Sequence, residues 1–590
     1  MSDAARTGSP GPAWTETTID RFTMDILREG FAAITDEMFV SLQRTSQSPI
    51  IYEVLDFGVG ISDAHGELVS QGNGVAGFLG PLSDAVRETV TRVSASGPGR
   101  PSWQAPIGPL RPGDVIIAND PYSGGGTHLS DVAMIRPVFW DDELIGFAAA
   151  KGHWTEIGGK DPGSWTADSA DVYAEGLQLP FVHAFRAGQP VPELRAIVAA
   201  NCRLPEMTLG DLSAFAACLE VAERRLHETC ARYGADTVAQ AMAAVLDRSE
   251  RLARLTLSRI PHGEFTAAEF TDTDGLGNGP FEIRVKVTIS DSAVVCDFTG
   301  SHAQVPGPIN CTWSGLVSGV RTVFKAITDP GEPATDGWFR PLQITCPPGT
   351  IFTARRPAPV GAYFETTDLA SDLVWKALAP AFPEALTAGS YISTCSTSLS
   401  LTHPDTGEPT LLVEPQVGGW GASAAQDGQH GLITAGDGET YVIPAEVAEQ
   451  RYGIRVDRFG LDIAEGAGAG RRRGGRGLVR EYRVLSEDAL LTAAWGRHLF
   501  PPWGAAGGRD GSPNYVELVR DGVRYGEPFA KVSRLKLRRG DVLRLVTGTG
   551  GGYGDPRERE PDLVRADLRD QIITDREAAE VYGLPEGETG

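Results

Sequence analysis

Two histidines and two aspartates in this sequence are spaced so that they could share one divalent cation. Gly124-Gly125-Gly126-Thr127-His128-Leu129-Ser130-Asp131 leads into an apolar run, Val132–Trp140. An acidic turn follows, Asp141-Asp142-Glu143, then a second apolar run, Leu144–Ala150, ending in Lys151-Gly152-His153. Two apolar runs about a three-residue turn predict an antiparallel hairpin. If Trp140 pairs with Leu144, counting back along both strands sets Asp131 opposite His153, and directly opposed residues carry Cβ atoms about 4.5–5.5 Å apart. His128 lies three positions before Asp131, on a glycine-rich loop able to fold back over the strand end. His128, Asp131 and His153 can therefore converge without help from distant parts of the chain. Two imidazoles and a carboxylate are a common ligand set for a divalent metal that keeps an open position. Asp56, in Leu55-Asp56-Phe57, reads as an acid inside an apolar strand, where a carboxylate needs a cation or several hydrogen bonds. A fourth ligand position explains it, and two aspartates with two neutral histidines balance a 2+ charge. A cross-strand His–Asp pair is also often a plain structural hydrogen bond, and non-haem iron sites use the same ligand types, so spacing alone leaves metal binding and the metal's identity open.

The elements that must hold these residues follow from periodicity. Leu27, Phe31, Ile34, Met38 and Leu42 recur at helical spacing and predict a helix over Phe22–Gln47, stopped by Pro49. Ile50–Val69 is rich in β-branched residues and predicts a hairpin turning at Asp63–Gly66,. Ser96–Pro112 reads as a loop, Asp114–Ala118 as a short buried strand, and Thr208–Leu257 as a helical region with the stripe Leu212, Phe215, Leu219, Ala222 and Leu226. Phe281, Ile283, Val285, Val287 and Ile289 alternate, then Asp291-Ser292 turns into Val294, Cys296 and Phe298, a second hairpin. Leu369–Leu378 predicts another helix, and from Tyr441 the chain is β-like between glycine-rich turns at Gly466–Gly477 and Gly548–Gly554. The expected class is α+β and multi-segment, with mostly antiparallel sheets and flanking helices, the helices lying near the N-terminal half. The expected organisation is a flexible lead over 1–20, an α+β metal-binding region over 21–260, a β-rich region over 261–480, a C-terminal β region over 481–556, and a charged tail over 557–590 that ends in a surface helix.

Composition narrows the function. The 590 residues include 53 basic and 77 acidic side chains, for a net charge of −24. That balance argues against general nucleic-acid binding, which needs basic surface, and against docking on anionic membranes. No apolar run reaches the ~18 residues of a membrane span, and the N-terminus shows no apolar signal-peptide core,. Seven cysteines without a CxxC pair make a zinc ribbon or disulfide scaffold a poor fit, so the default expectation is a reducing cytoplasm,. Gly548–Pro556 is no P-loop, because no Lys-Ser/Thr follows and Pro556 blocks an immediate helix,. Glu156, three residues beyond His153, is a candidate general base, or a hydrogen-bond partner that orients a ligand, which is the preferred reading. His183, His227, His430 and His498 read as structural or exposed, and Arg471-Arg472-Arg473 as a solvated turn. Glu365 and Asp368 could form an acid–base pair, but nothing in the sequence places them near the hairpin.

Taken together, the stretches Arg44–Phe57, Asn119–Asp131, His153–Ser164, Glu175–Pro180, Asp297–Gly300 with Gly307–Asn310, Gly474–Glu481 and Gly550–Pro556 resemble, in order, the hydantoinase B/oxoprolinase family. These are B subunits of ATP-dependent cyclic-amide hydrolases, a family that also includes subunits of acetone and acetophenone carboxylases. The resemblance implies one divalent metal (zinc, manganese or iron) on Asp56, His128, Asp131 and His153, the residues reached above from spacing. It implies a hetero-oligomer with a hydantoinase A-like ATPase subunit that holds ATP and magnesium, and a small-molecule substrate such as a hydantoin, oxoproline or lactam. The alternatives are a subunit of an ATP-dependent ketone carboxylase, which would use bicarbonate, and a non-catalytic scaffold stiffened by a structural metal. Two departures from the common pattern stand at Trp154 and Glu156, where many relatives have a histidine and an aspartate. The wording around Val417–Gly421 and Tyr441–Glu446 also drifts from it, so the resemblance leaves the substrate open.

Overall fold

The computed structural model describes residues 19–94, 101, 103–104 and 106–584 of the chain. Most of the expected lead over 1–20 and part of the expected loop over Ser96–Pro112 lie outside the described residues. The first helix, Arg21–Thr45, buries Leu27, Phe31, Ile34, Met38 and Leu42, and Asp20 caps its start by accepting from the Phe22 and Thr23 amides. The helical region near 208–257 is two helices, Pro205–Tyr233 and Ala235–Leu257. Gly234, at φ 86°, is the break between them, a conformation that glycine adopts without a Cβ penalty.

Four sheets carry the strands. In the first, β1 (Phe57–Asp63), β2 (Leu68–Gln71), β3 (Val115–Ala118), β4 (Asp131–Trp140), β5 (Glu143–His153), β6 (Val182–Arg186) and β7 (Gln189–Pro190) run in the order β2-β1-β5-β4-β3-β6-β7. The hairpin strands β4 and β5 thus occupy the middle and are buried along most of their length. The second sheet is β8 (Gly263–Thr271), β9 (Phe281–Ile289), β10 (Val294–Asp297) and β11 (Leu342–Thr345), with Val294 opposite Ile289 as the alternation predicts. Its β10–β11 pair is parallel, and every other strand pair is antiparallel among the described residues. Two further sheets draw on β12 (Ser396–Thr402), β13 (Pro409–Glu414), β14 (Ile454–Leu461), β15 (Leu478–Val484), β16 (Ala489–Ala494), β17 (Tyr515–Arg520), β18 (Val523–Arg524), β19 (Lys531–Leu537) and β20 (Val542–Val546). Their orders are β13-β12-β16-β19 and β14-β15-β20-β17-β18, so both join residues from either side of the expected boundary at 480/481. One main apolar core draws members from Leu27 to Leu545, and a second, smaller one gathers residues such as Leu82, Ile116, Ile135 and Phe147. The architecture is α+β, as expected.

Several elements depart from the sequence reading. Helices are not confined to the N-terminal half: Trp313–Thr328 and Tyr363–Leu378 both pack in the centre of the chain. Tyr363–Leu378 contains the helix expected over Leu369–Leu378 and starts six residues earlier, whereas the sequence reading places no helix over Trp313–Thr328. The segment after Pro49 forms a short helix, Pro49–Tyr52, and β1 begins only at Phe57. The charged tail is docked. Val564, Ile573, Ala578 and Tyr582 form an apolar cluster with Ala469. Arg473 and Arg559 pair with Asp567 at 3.0 and 2.7 Å, and Arg476 pairs with Glu577 at 2.9 Å. Arg473 is therefore buried in an ion-pair network and not solvated as the run of arginines suggests. No described helix is long and apolar enough to cross a membrane.

Candidate metal and acid site

The hairpin delivers its chemistry by a route slightly different from the one its sequence suggests. Trp140 pairs with Glu143 and Phe139 with Leu144, around a two-residue Asp141-Asp142 turn with Asp141 at φ 52°. A bulge between Val138 and Phe139 then shifts the register, and from Val138–Gly146 to the strand end the pairs match the expected ones, with Asp131 opposite His153. The anchor pair Trp140–Leu144 is thus corrected, and the bulge cancels its one-residue error before the site is reached.

Main-chain hydrogen bonds then draw the remaining residues in. The His153 amide donates to the Asp56 carbonyl at 3.0 Å, and the Asp131 amide to the His128 carbonyl at 3.3 Å. Asp56 lies just before β1 and not inside a strand, held there by Leu55 at φ 64°. Gly126 is required on the approach, because a Cβ there would sit 2.4 Å from the Asn119 carbonyl oxygen and 2.6 Å from that of His128.

His128 Nε2 lies 3.2 Å from Asp131 Oδ1, and its Nδ1 is 3.1 Å from the Gly361 carbonyl oxygen. The imidazole rings of His128 and His153 are 5.1 Å apart between centroids, and Thr127 donates its hydroxyl to Asp131 Oδ2. Both ring nitrogens of His153 are buried without a hydrogen-bond partner among the described residues. An unpaired buried polar group costs free energy unless something satisfies it. Burial, with the charge of His128, draws the His153 imidazole down to about 3, so its ring is neutral and keeps a lone pair for a cation. Burial pushes the Asp131 carboxyl up, but His128, Lys151 and His153 together bring it below its ordinary value. Burial, followed by the charges of Asp131 and Asp437, holds Asp56 well above its ordinary value.

The donor set suits a divalent cation. Two donors each about 2.0–2.1 Å from one tetrahedral ion sit about 3.3 Å apart, close to the His128–Asp131 separation, and the unpartnered His153 imidazole is the natural third donor. Among the described residues, however, no group of three or more His, Cys, Asp or Glu lies where it could hold a metal ion as the side chains stand. The structure pairs His128 with Asp131 at 3.2 Å and sets the His153 ring 5.1 Å from that of His128, while Asp56 is tied to His153 through the main chain.

Glu156 is spent elsewhere. Its carboxylate accepts from the amides of Gly158 and Gly163 at 2.7 and 3.2 Å, and from Arg203 at 2.9 Å. It clamps the loop that follows β5, a hydrogen-bonding role of the kind preferred over a general base on sequence.

Residues beyond the hairpin complete the site. The helix Tyr363–Leu378 brings the Tyr363 ring to 5.0 Å from that of His128, and Trp165 stands 4.9 Å from His153. Asp368, on the same helix, has one oxygen buried without a partner among the described residues. It sits close to Asp437, whose Oδ2 accepts from Thr434 at 2.9 Å and Thr394 at 3.3 Å. Burial raises Asp437 to about 6. Asp368 therefore does lie on the hairpin's side of the molecule, a proximity that a separation of more than 200 residues hides in the sequence. Asp437 stands in a polar, turn-like stretch and carries no local signal. The metal-free protein should lose stability as the pH rises from about 4 to about 6. In that window the folded state binds the Asp437 proton and the unfolded chain, with an Asp pKa of about 3.9, does not. Urea midpoints measured in chelator across that window should fall less steeply for Asp437→Asn than for wild type.

Glu175 was within reach of the sequence, as part of the Glu175–Pro180 stretch, but its role was not. Its carboxylate accepts from the Gly361 amide at 2.7 Å, the Val360 amide at 2.9 Å and the Ser169 hydroxyl at 2.7 Å. It thereby fixes the Gly361 carbonyl against His128 Nδ1 and so sets which nitrogen of His128 faces Asp131. The expected metal site predicts that Glu175→Ala weakens metal binding about 10–100-fold, read by chelator competition; no change would leave Glu175 a purely structural clamp.

A sequence profile described as Hydantoinase B/oxoprolinase matches residues 20–556. A chain of Pseudomonas sp. (strain NS671), provisionally named as the B subunit of a D-/L-hydantoinase, is 31% identical over 582 residues, covering 96% of this chain and 95% of its own. The caprolactamase β-subunit of Pseudomonas jessenii is 28% identical over 584 residues, covering 96% of each chain. The crystal structure of the ATP-dependent caprolactamase from that organism superposes with a TM-score of 0.87 at 27% identity, covering 97% of this chain and 98% of that one. A nucleotide-free structure of acetone carboxylase shares the fold, with a TM-score of 0.87 at 18% identity, covering 97% of this chain and 81% of that one.

Proposed function

Because the chain belongs to the hydantoinase B/oxoprolinase family, we propose that it is the metal-bearing B-type subunit of a cytoplasmic, ATP-dependent hydrolase of cyclic amides, acting with a hydantoinase A-like ATPase subunit. The observation that carries this reading is the neutral, unpartnered His153 imidazole turned toward His128 and Asp131 at the hairpin end. The two relatives named as subunits of cyclic-amide hydrolases support the partner and the reaction class.

The partner, holding ATP and magnesium, transfers the γ-phosphoryl group to the amide oxygen of a hydantoin, oxoproline or lactam and releases ADP. The ring carbon is now electrophilic and carries a phosphate leaving group. Water adds at that carbon, the tetrahedral adduct expels the ring nitrogen as that nitrogen takes a proton, which breaks the C–N bond and leaves an acyl phosphate, and a second water cleaves the acyl phosphate to free phosphate and the carboxylate of the amino acid or ureido acid. A zinc, manganese or iron ion on Asp56, His128, Asp131 and His153 supplies Lewis acidity when bound. The chain's own residues do the rest. Gly361, fixed by Glu175, holds the His128 ring. Trp165 and Tyr363 wall the imidazoles from bulk water. Asp437, with Oδ2 held by Thr434 and Thr394, leaves Oδ1 to take the proton released by water, at a pKa near the working range of a general base.

The test is to co-express the chain with its partner and follow substrate-stimulated ATP turnover, metal content and ring opening. Ring opening with about one bound metal per chain, and without fixation of labelled bicarbonate, supports the reading. Label entering a carbon–carbon bond replaces it with ketone carboxylation.

A further inference from the structure

A buried ammonium stands beside the imidazoles without a hydrogen-bond acceptor. Lys151 lies two residues before His153 on β5, and alternate residues of a strand share a face, so both side chains rise on the same side of the sheet. Lys151 is opposite Ala133 on β4 and Gly58 on β1, in the row next to the one that sets His153 opposite Asp131. Neither neighbour in that row carries a side chain beyond Cβ, and Ala149, the preceding residue on the same face, is apolar too. Lys151 is fully buried, and its Nζ makes no hydrogen bond among the described residues. A buried charge left without such a partner is costly.

Two carboxylates, Asp131 and Asp84, favour the charged form of Lys151, yet both have committed their oxygens to other groups. Asp131 accepts from Thr127 at Oδ2 and faces His128 Nε2 with Oδ1. Asp84 accepts from the Ser314 hydroxyl at 2.9 Å with Oδ2, and its Oδ1 lies 3.8 Å from Arg87. The Phe78 ring, its centroid 5.4 Å from Nζ, adds a cation–π contact and takes up no N–H,. The surroundings therefore hold a positive charge while its three N–H donors stay unused among the described residues. Asp56, Tyr363 and Asp437 around the same strand ends are only partly buried, so the cluster borders space that these side chains do not fill.

An ammonium so placed suits an anion, and the reaction brings one. The activated substrate carries a phosphoryl group on its former amide oxygen, and that group stays in place through C–N cleavage and leaves last. We infer that Lys151 binds the phosphoryl oxygens of the activated cyclic amide, and of the acyl phosphate that follows, and so retains the intermediate on this subunit until the ring is open. This rests on the cyclic-amide reading. A lysine serves such a group as a compact point charge with three donors.

The experiment counts ADP formed per ring opened by the reconstituted two-subunit complex with hydantoin, 5-oxoproline and caprolactam, comparing wild type with Lys151→Met and Lys151→Gln. Both variants remove a buried, unpaired charge and keep a side chain of similar length, so their melting temperatures should not fall. Without the ammonium the phosphorylated amide escapes and loses its phosphate to water, which returns the closed ring. The ratio of ADP to opened rings should rise at least about tenfold in both variants, the weight of one hydrogen bond to a charged group, with every ring that wild type opens. An unchanged ratio in a folded variant overturns the assignment. A rise confined to 5-oxoproline while another ring is spared also overturns it, because the ammonium then serves the substrate's carboxylate. If the wild-type complex opens none of the three rings, the cyclic-amide reading falls, and Lys151 is judged by titrating the full chain alone with inorganic phosphate under phosphorus NMR. Saturable binding that weakens about tenfold in Lys151→Met keeps a phosphoryl site at Lys151, and equal binding in both proteins, or none in wild type, removes it.

Discussion

His153→Ala should yield a folded, metal-poor subunit whose complex opens cyclic amides at least about 100-fold more slowly, a larger loss than the 10–100-fold typical of residues that only orient a ligand. The fold should survive because the imidazole makes no hydrogen bond among the described residues. Removing it also removes an unsatisfied buried group, which offsets part of the packing lost against Trp165. His128→Ala and Asp131→Ala should act in the same direction on metal content. Asp131→Ala should cost more stability, because Thr127 and His128 lose their acceptor. Elemental analysis, thermal melts and turnover on the same preparations separate the two roles of the metal. Normal melting in chelator with absent metal and absent turnover marks a catalytic site. Loss of melting temperature in step with turnover across all three variants marks a scaffold whose metal only stiffens the fold, and removes the catalytic assignment.

The parts of the site that were legible in the sequence are those joined by local chain. The glycine loop, β4, the turn and β5 are contiguous, so alternation and turn length nearly fix which residues face each other, and the error at Trp140–Leu144 is absorbed by one bulge. Asp56 was reached through its chemistry, an acid in apolar company, although the strand assigned to it begins one residue later. Tyr363 and Asp437 were not legible as site residues, and Asp368 was legible only as half of an acid–base pair with no place beside the hairpin. They arrive from a buried helix and an irregular loop whose packing is set by long-range contacts, and no periodicity records which carboxylate a fold will bring beside another. Glu156 shows the converse. Its position suggested chemistry, but two amides and Arg203 had already claimed its oxygens, and hydrogen-bond saturation of that kind is invisible without coordinates.

The loop that carries Asp437 leaves β13 at Glu414 and returns near Ile443, and both ends are fastened by one buried network. Glu414 accepts from Arg480 at 3.3 Å, from the Ile443 amide at 3.1 Å, from Gln416 at 3.1 Å and from the Tyr482 hydroxyl. Arg480 also donates to the Ile443 carbonyl at 2.6 Å. Glu414 and Arg480 are essentially inaccessible to solvent, so the pair cannot be hydrated if it is broken. Glu414→Ala strands the Arg480 guanidinium in the interior and should destabilise the protein by about 3–5 kcal/mol, as breaking one side of a buried ion pair does. Replacing both partners, Glu414→Met with Arg480→Met, removes the stranded charge and should cost distinctly less than the single change. Because the network anchors both ends of the Asp437 loop, Glu414→Ala should also widen the acid site. Residual activity of the folded fraction should then fall, while any metal held at the hairpin, as proposed, should stay near the wild-type level. Equal costs for the single and double variants in denaturant titrations would show that packing, and not the ion pair, holds the loop. Metal loss in Glu414→Ala would show that the loop and the hairpin are one cooperative unit.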